Sequence, residues 1–218
     1  MTYVSVITPT IPERSEFLAE CAASVAAQLL DDINLEHVVQ VDEERRGCAW
    51  AMNRAADRAA GKWLLPLADD DLILPGCVQT LSLHVYDADI IYAPPLVTGN
   101  EDRWWFFQAP PVIPSFALIR ASLWHDLGGY NEALRREEDR DLWIRALDAG
   151  ATFKRVDEPC WVYRQHTSNK SFATAATVSW NCCRSLRNSH QSLTCTAPGN
   201  LRSCLRSVVG TAAPYGTG

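Results

Sequence analysis

The sequence predicts an α/β fold with a mainly parallel central sheet flanked by helices, and three observations carry that expectation. Short apolar runs alternate with segments of helical period. Each of the first three runs ends in polar residues able to do chemistry. Hydrophobic residues make up 47% of 218 positions, enough for one sizeable core. Strand–helix alternation of this kind belongs to parallel sheets covered by helices on their faces.

The elements follow in order. Residues 3–8 (YVSVIT) are β-rich, and Pro9 and Pro12 bar simple continuation. From residue 14 to 28, Phe17, Leu18, Cys21, Ala22 and Val25 recur at helical spacing. Residues 35–41 form a second apolar strand ending at Asp42. Gly47 opens an alanine-rich helix running to Ala60, Gly61 ends it, and residues 62–67 form a third strand. A helix over 75–84 follows, with Pro75 suited to its first turn, then a strand over 89–92. Residues 103–108 (RWWFFQ), apolar on both faces, read as a buried strand or as an aromatic platform for an acceptor. A helix over 121–127 ends at Gly128-Gly129, and GGYNE (128–132) reads as a mobile loop.

The third strand ends in ADDD, and those aspartates pose the central question. At an effective dielectric of about 20, two like charges roughly 4 Å apart repel by about 4 kcal/mol. Asp69, Asp70 and Asp71 escape this either by splaying into water or by sharing a divalent cation, which hard carboxylate ligands suit. Parallel sheets bind ligands beyond the carboxyl ends of their strands. Thr8, Pro9 and Thr10, then Asp42, then Asp69 to Asp71 each lie past such an end, so they converge on one edge as a candidate site.

A second signal is REEDRDLWIRALDAG (136–150). Leu142, Trp143, Ala146 and Leu147 form an apolar stripe, and Asp139 opens it on the inward side of the first turn. A first-turn acid also gains from the helix dipole, so a catalytic and a capping role for Asp139 both stand at this point.

Other features narrow the class. A net charge of −6 argues against a nucleic-acid binder, which needs a basic footprint. The start MTYVSVITPTIPER lacks the features of a signal peptide, and no run approaches a membrane span. The expected location is the cytoplasm, with peripheral membrane contact left open. Eight cysteines include no CxxC pair, which disfavours structural zinc.

Residues 1–170 are expected to form one domain, with 171–218 an irregular tail. Residues 173–218 hold four arginines, four cysteines and no Asp, Glu or Lys. Three accounts stand side by side: a flexible, disordered basic arm; an irregular extension packed around Trp180 and Leu186; or a frame-shifted stretch foreign to the fold.

Taken in order, VSVITPT (4–10), VDEE (41–44), AMNRA (51–55), GKWLLPLADDD (61–71), GGYNE (128–132), EDRDLW (138–143) and YRQHTS (163–168) resemble the motifs of family 2 glycosyltransferases with the GT-A fold, over residues 3–170. The resemblance implies a Rossmann-like three-layer sandwich and an inverting transfer from a nucleotide-diphosphate sugar, most often a UDP-sugar, to an acceptor hydroxyl. It implies a divalent cation, Mn²⁺ or Mg²⁺. Thr8, Pro9, Thr10 and Asp42 fall on base-binding positions, and Asp69 on a ribose or metal contact. Asp70 falls on the metal-binding aspartate with Asp71 beside it, and Asp139 on the general base. His166 falls on a late histidine that in some members reaches the metal or diphosphate. The acceptor, whether carbohydrate, lipid-linked or protein, is not implied. Two departures are Ala68, where many relatives carry Asp, and Met52, where an arginine is common. Two alternatives remain: a nucleotidyltransferase and a catalytically silent nucleotide-sugar-binding protein.

Overall fold

The computed structural model describes residues 2–28, 30–98 and 113–166. Chain contacts divide it into two units, Met1–Arg164 and Gln165–Gly218. RWWFFQ (103–108) and the whole of the expected tail, 171–218, with Trp180, Leu186 and the four tail cysteines, lie outside the described residues.

In the first unit a six-stranded sheet runs in the order β2 (Ile33–Val41), β1 (Thr2–Thr10), β3 (Trp63–Pro66), β7 (Ala117–Arg120), β5 (Ile90–Tyr92), β8 (Phe153–Arg155). Its pairings are parallel except at β7, which runs antiparallel to both neighbours. The expected mainly parallel sheet is therefore present, with one reversed strand. A second sheet orders β4 (Leu72–Ile73), β9 (Trp161–Arg164) and β6 (Pro95–Thr98). These short strands show too few residues for an alternating pattern to be read from sequence.

β1 extends through Pro9 to Thr10, two residues beyond the expected end. Ile7 O accepts from Leu67 N on the β3 side, and alternate residues share an orientation. Pro9 therefore turns its missing N–H toward β3, past the last paired residue there, so the ladder to β2 is unbroken.

Helices cover both faces. Val4 and Val6 of β1 join Leu65 and the Cys21 and Val25 of α1 (Ser15–Ala26) in one buried cluster. Ser5 and Ile7 point to the other face. α2 (Cys48–Arg58) packs on β1 and β2, burying Met52 and the alanines Ala49, Ala51, Ala55 and Ala56, whose small side chains permit close approach. Each fully buried Leu or Ile adds about 1.5–3 kcal/mol, and Ile7, Leu64, Leu65, Ile90, Ile91 and Leu118 are all fully buried. Gly61 is required between α2 and β3, since a Cβ there would lie 2.4 Å from Ser5 Oγ and 2.7 Å from Ser5 N.

The remaining helices are α3 (Cys77–Ser82), α4 (Ala121–Asp126) and α5 (Glu138–Asp148). Cys21, Cys77 and Cys160 are buried thiols and Cys48 is a half-buried one, outside any disulfide among the described residues. Among the described residues no helix is long and apolar enough to cross a membrane.

Candidate active site

The ends of the first three strands are stitched together around Thr10. Its carbonyl accepts from Asp42 N at 2.8 Å, and its hydroxyl donates to Asp69 Oδ2 at 2.7 Å. Asp69, Asp70 and Asp71 are 3%, 7% and 3% exposed, so the triplet is not a turn splayed into solvent. The charges are buried, and something must offset them.

Two arginines do so in different ways. Arg14, closing the 3-10 turn Pro12–Arg14, places Nε 3.3 Å from Asp69 Oδ1 and donates through Nη2 to Asp70 Oδ2. Arg164, at the end of β9, gives its backbone N–H to Asp71 Oδ1 at 3.0 Å. Its Nε donates to the Asp70 carbonyl and its Nη1 to Glu20. Both guanidinium groups lie on the Phe17 ring, at 5.4 and 5.1 Å from its centre.

The offset is incomplete. Burial pushes Asp69 above the ordinary carboxylate range despite the Thr10 hydroxyl and Arg14. Burial, and after it the Asp70 charge, push Asp71 well above that range.

The other strand-end residues have structural partners. Thr8 is buried, with its hydroxyl 2.9 Å from His37 Nε2 on β2. Pro9 is half-buried within β1. Asp42 accepts from Arg46 N at 2.9 Å and Gly47 N at 2.7 Å, closing the loop that starts α2. Met52 is buried in α2.

The second cluster is built on the GGYNE segment, which is pinned rather than loose. Asn53 of α2 accepts from Tyr130 N and donates to Tyr130 O, both at 2.8 Å, and also donates to Glu132 at 2.9 Å. Arg145 of α5 donates to Leu127 O at 2.6 Å and Gly129 O at 2.8 Å, and pairs with Asp141 at 2.8 Å. Gly129 has φ +68°, and a Cβ there would lie 2.4 Å from Asn53 Oδ1. Tyr130 is buried with its ring 4.8 Å from that of Trp124. Thus α2, the loop and α5 are one framework, and Arg135 Nη1 joins it to the Asp42 loop through Arg46 O at 2.8 Å.

Asp139 sits in the first turn of α5 on that framework. Its carboxyl accepts from Arg140 N at 2.9 Å and forms no ion pair among the described residues. The residue is half-buried by surface area, yet enough protein surrounds its carboxyl for burial to push it up to about 6, with Glu138 and Glu137 adding to the rise. A carboxylate poised there is half-protonated near pH 6 and able to accept a proton at neutrality.

His166 follows β9 by two residues and falls in the second unit. Among the described residues no group of three or more His, Cys, Asp or Glu side chains is disposed to hold a metal ion. The donor set nevertheless fits Mg²⁺ or Mn²⁺, since hard cations of this kind take one or two carboxylates and complete their shell with water and substrate phosphate. Incompletely compensated carboxylates at Asp69 and Asp71, flanking Asp70, are the chemistry such an ion seeks.

The unforeseen residues are Arg14, Arg164, Asn53 and Arg145. Arg164 stands in the same YRQHTS stretch as His166, and Asn53 at the centre of AMNRA, so their motifs flagged the segments without the duties. Arg14 had only its place just after the first strand-end loop as a signal.

Comparison with known proteins agrees with this architecture. The Glycosyl transferase family 2 profile matches residues 36–145, half of the chain. A Haemophilus influenzae protein described as an uncharacterized glycosyltransferase is 24% identical over 213 residues, covering 80% of this chain and 72% of that protein. S. aureus TarS 1–349 in complex with UDP superposes with a TM-score of 0.58 at 15% identity, over 76% of this chain and 61% of TarS 1–349. The chain thus spans less than two thirds of that structure. The mannosyltransferase PcManGT from Pyrobaculum calidifontis, in complex with GDP-Man and Mn²⁺, superposes with a TM-score of 0.62 at 14% identity, over 94% of this chain and 68% of PcManGT.

Proposed function

The chain belongs to glycosyl transferase family 2, and from that premise we propose that it is a divalent-cation-dependent, inverting glycosyltransferase. It moves a sugar from a nucleotide-diphosphate donor to an acceptor hydroxyl. The observation that carries this reading is the buried, under-compensated aspartate triplet at the carboxyl end of β3.

Thr8, Pro9, Thr10 and Asp42 form the wall on which the base of the donor rests, with Asp69 toward its ribose. Support comes from their convergence on one sheet edge, where parallel sheets take nucleotides. UDP and GDP-Man, bound in TarS and PcManGT respectively, support a nucleotide-sugar donor, and a UDP-sugar is the first to test. A divalent cation held by Asp70, with Asp69 or Asp71 beside it, supplies Lewis-acid neutralisation of the leaving diphosphate. Asp139 accepts the proton of the attacking hydroxyl at its carboxylate oxygen, and its pKa of about 6 suits that role at neutral pH. One base, opposite the leaving group, gives inversion.

The test is a panel of nucleotide sugars assayed for transfer and donor hydrolysis with Mn²⁺, Mg²⁺ or EDTA. Cation-dependent turnover of one donor is the expected result. Donor binding with no turnover under any condition identifies a silent binding protein instead.

A further inference from the structure

Arg14 and Arg164 share the Phe17 ring, yet their holds on the triplet differ in kind. Arg164 is locked by backbone, because its own N–H serves Asp71 and its Nε serves the Asp70 carbonyl. Displacing its side chain would unpair the buried Asp70 carbonyl. Among the described residues the polar partners of the Arg14 guanidinium are carboxylate oxygens alone, Oδ1 of Asp69 and Oδ2 of Asp70. Its side chain is 26% exposed, on a three-residue turn whose first two residues lie at the surface. Among the described residues no main-chain group accepts from its guanidinium. Another cation meeting the same oxygens can take its place.

We propose that Arg14 is an exchangeable counter-ion that occupies the divalent cation's position on Asp70, so that the cation enters only by displacing the guanidinium. The proposal rests on the reading of Asp70 as a cation ligand. A guanidinium is a fork of donors that matches carboxylates well, which makes it an effective competitor. It keeps a buried acidic cluster tolerable while no cation is bound, and it sets a threshold of cation concentration for loading. The consequence is a weak affinity for cation alone, improved once a phosphate-bearing ligand adds its own oxygens.

The test is direct Mn²⁺ binding to the full chain, read by electron paramagnetic resonance of free Mn²⁺, with no sugar nucleotide present. Arg14→Met keeps an apolar stem against Phe17 and removes the charge. The expected result is Mn²⁺ binding about tenfold tighter or more than in the wild type, with Arg14→Lys in between. Equal or weaker binding by Arg14→Met overturns the exchange. A measurement on the unaltered protein guards against a misfolded variant: in ¹⁵N-arginine-labelled chain, diamagnetic Mg²⁺ should shift the Arg14 Nε–H resonance, and an unmoved resonance at saturating Mg²⁺ overturns the exchange. Asp70→Asn in the Arg14→Met background separates the two ideas. Tight Mn²⁺ binding that survives this double change refutes Asp70 as ligand, whereas binding lost in the double variant and unimproved in Arg14→Met leaves the ligand reading intact and refutes only the exchange.

Discussion

The two acidic regions of this molecule are built from the same residue type and held in opposite ways. At the end of β3 three aspartates crowd together, and a hydroxyl, a guanidinium and a backbone N–H each take one of their oxygens. At the start of α5 the carboxyl of Asp139 has backbone N–H partners, its own and that of Arg140, and no ion pair among the described residues. Its companion Asp141, two residues on in the same EDRDLW motif, is paired with Arg145. The contrast shows how an acid's duty is set by its partners. A clustered, partly compensated group suits a cation, and an isolated, desolvated one suits a proton.

Breaking each side separately tests that comparison. Asp139→Asn should keep cation-dependent donor binding and lose transfer by about 10²–10⁴-fold, measured as kcat against donor Kd. Undiminished transfer would remove Asp139 from the chemistry. Asp70→Ala should show the reverse order of loss, with cation-dependent donor binding weakened at least about tenfold, as read by calorimetry with and without EDTA.

The pH profile sharpens the same point. Burial raises the Asp139 pKa to about 6, and a base works only when deprotonated, so kcat/KM should fall as pH drops through about 6 and level off above it. A limb near the ordinary carboxylate value of about 4 would show that the carboxyl is well hydrated in the working enzyme.

Two framework changes should have smaller effects on chemistry and measurable ones on stability. Asn53→Ala leaves the buried Tyr130 N–H and C=O without side-chain partners, which should cost about 2–3 kcal/mol, or roughly 5–10 °C in Tm by thermal unfolding. Asp141→Asn loses only a half-exposed ion pair and should cost about 1 kcal/mol or less. Transfer by Asp141→Asn should remain within about tenfold of wild type, since the pair positions the loop and touches no reactant.

Much of this was legible in the chain. Val4, Val6 and Leu65 carry the period of buried strands, the alanines after Gly47 a closely packed helix, and Thr10, Asp42 and Asp69 the ends of three strands. Less legible were the bounds of β1, because the harm of Pro9 depends on which side of the strand lacks a neighbour. GGYNE looked loose because two glycines and an Asn favour turns, while the clamp that fixes it comes from α2.

Local order in the sequence determined the succession of elements, the faces they bury and the edge where the acids gather, since periodicity and strand ends are properties of neighbours along the chain. For the aspartates at the end of β3, tertiary structure alone decided which partners they meet, whereas the Asp141–Arg145 pair follows from its i,i+4 spacing on α5. Arg14 reaches Asp70 across 56 positions, Asn53 reaches Tyr130 across 77, and Arg164 reaches Asp70 across 94. Charge compensation in the triplet, and with it the pKa of Asp69 and Asp71, depends on distances in space that no spacing along the chain encodes.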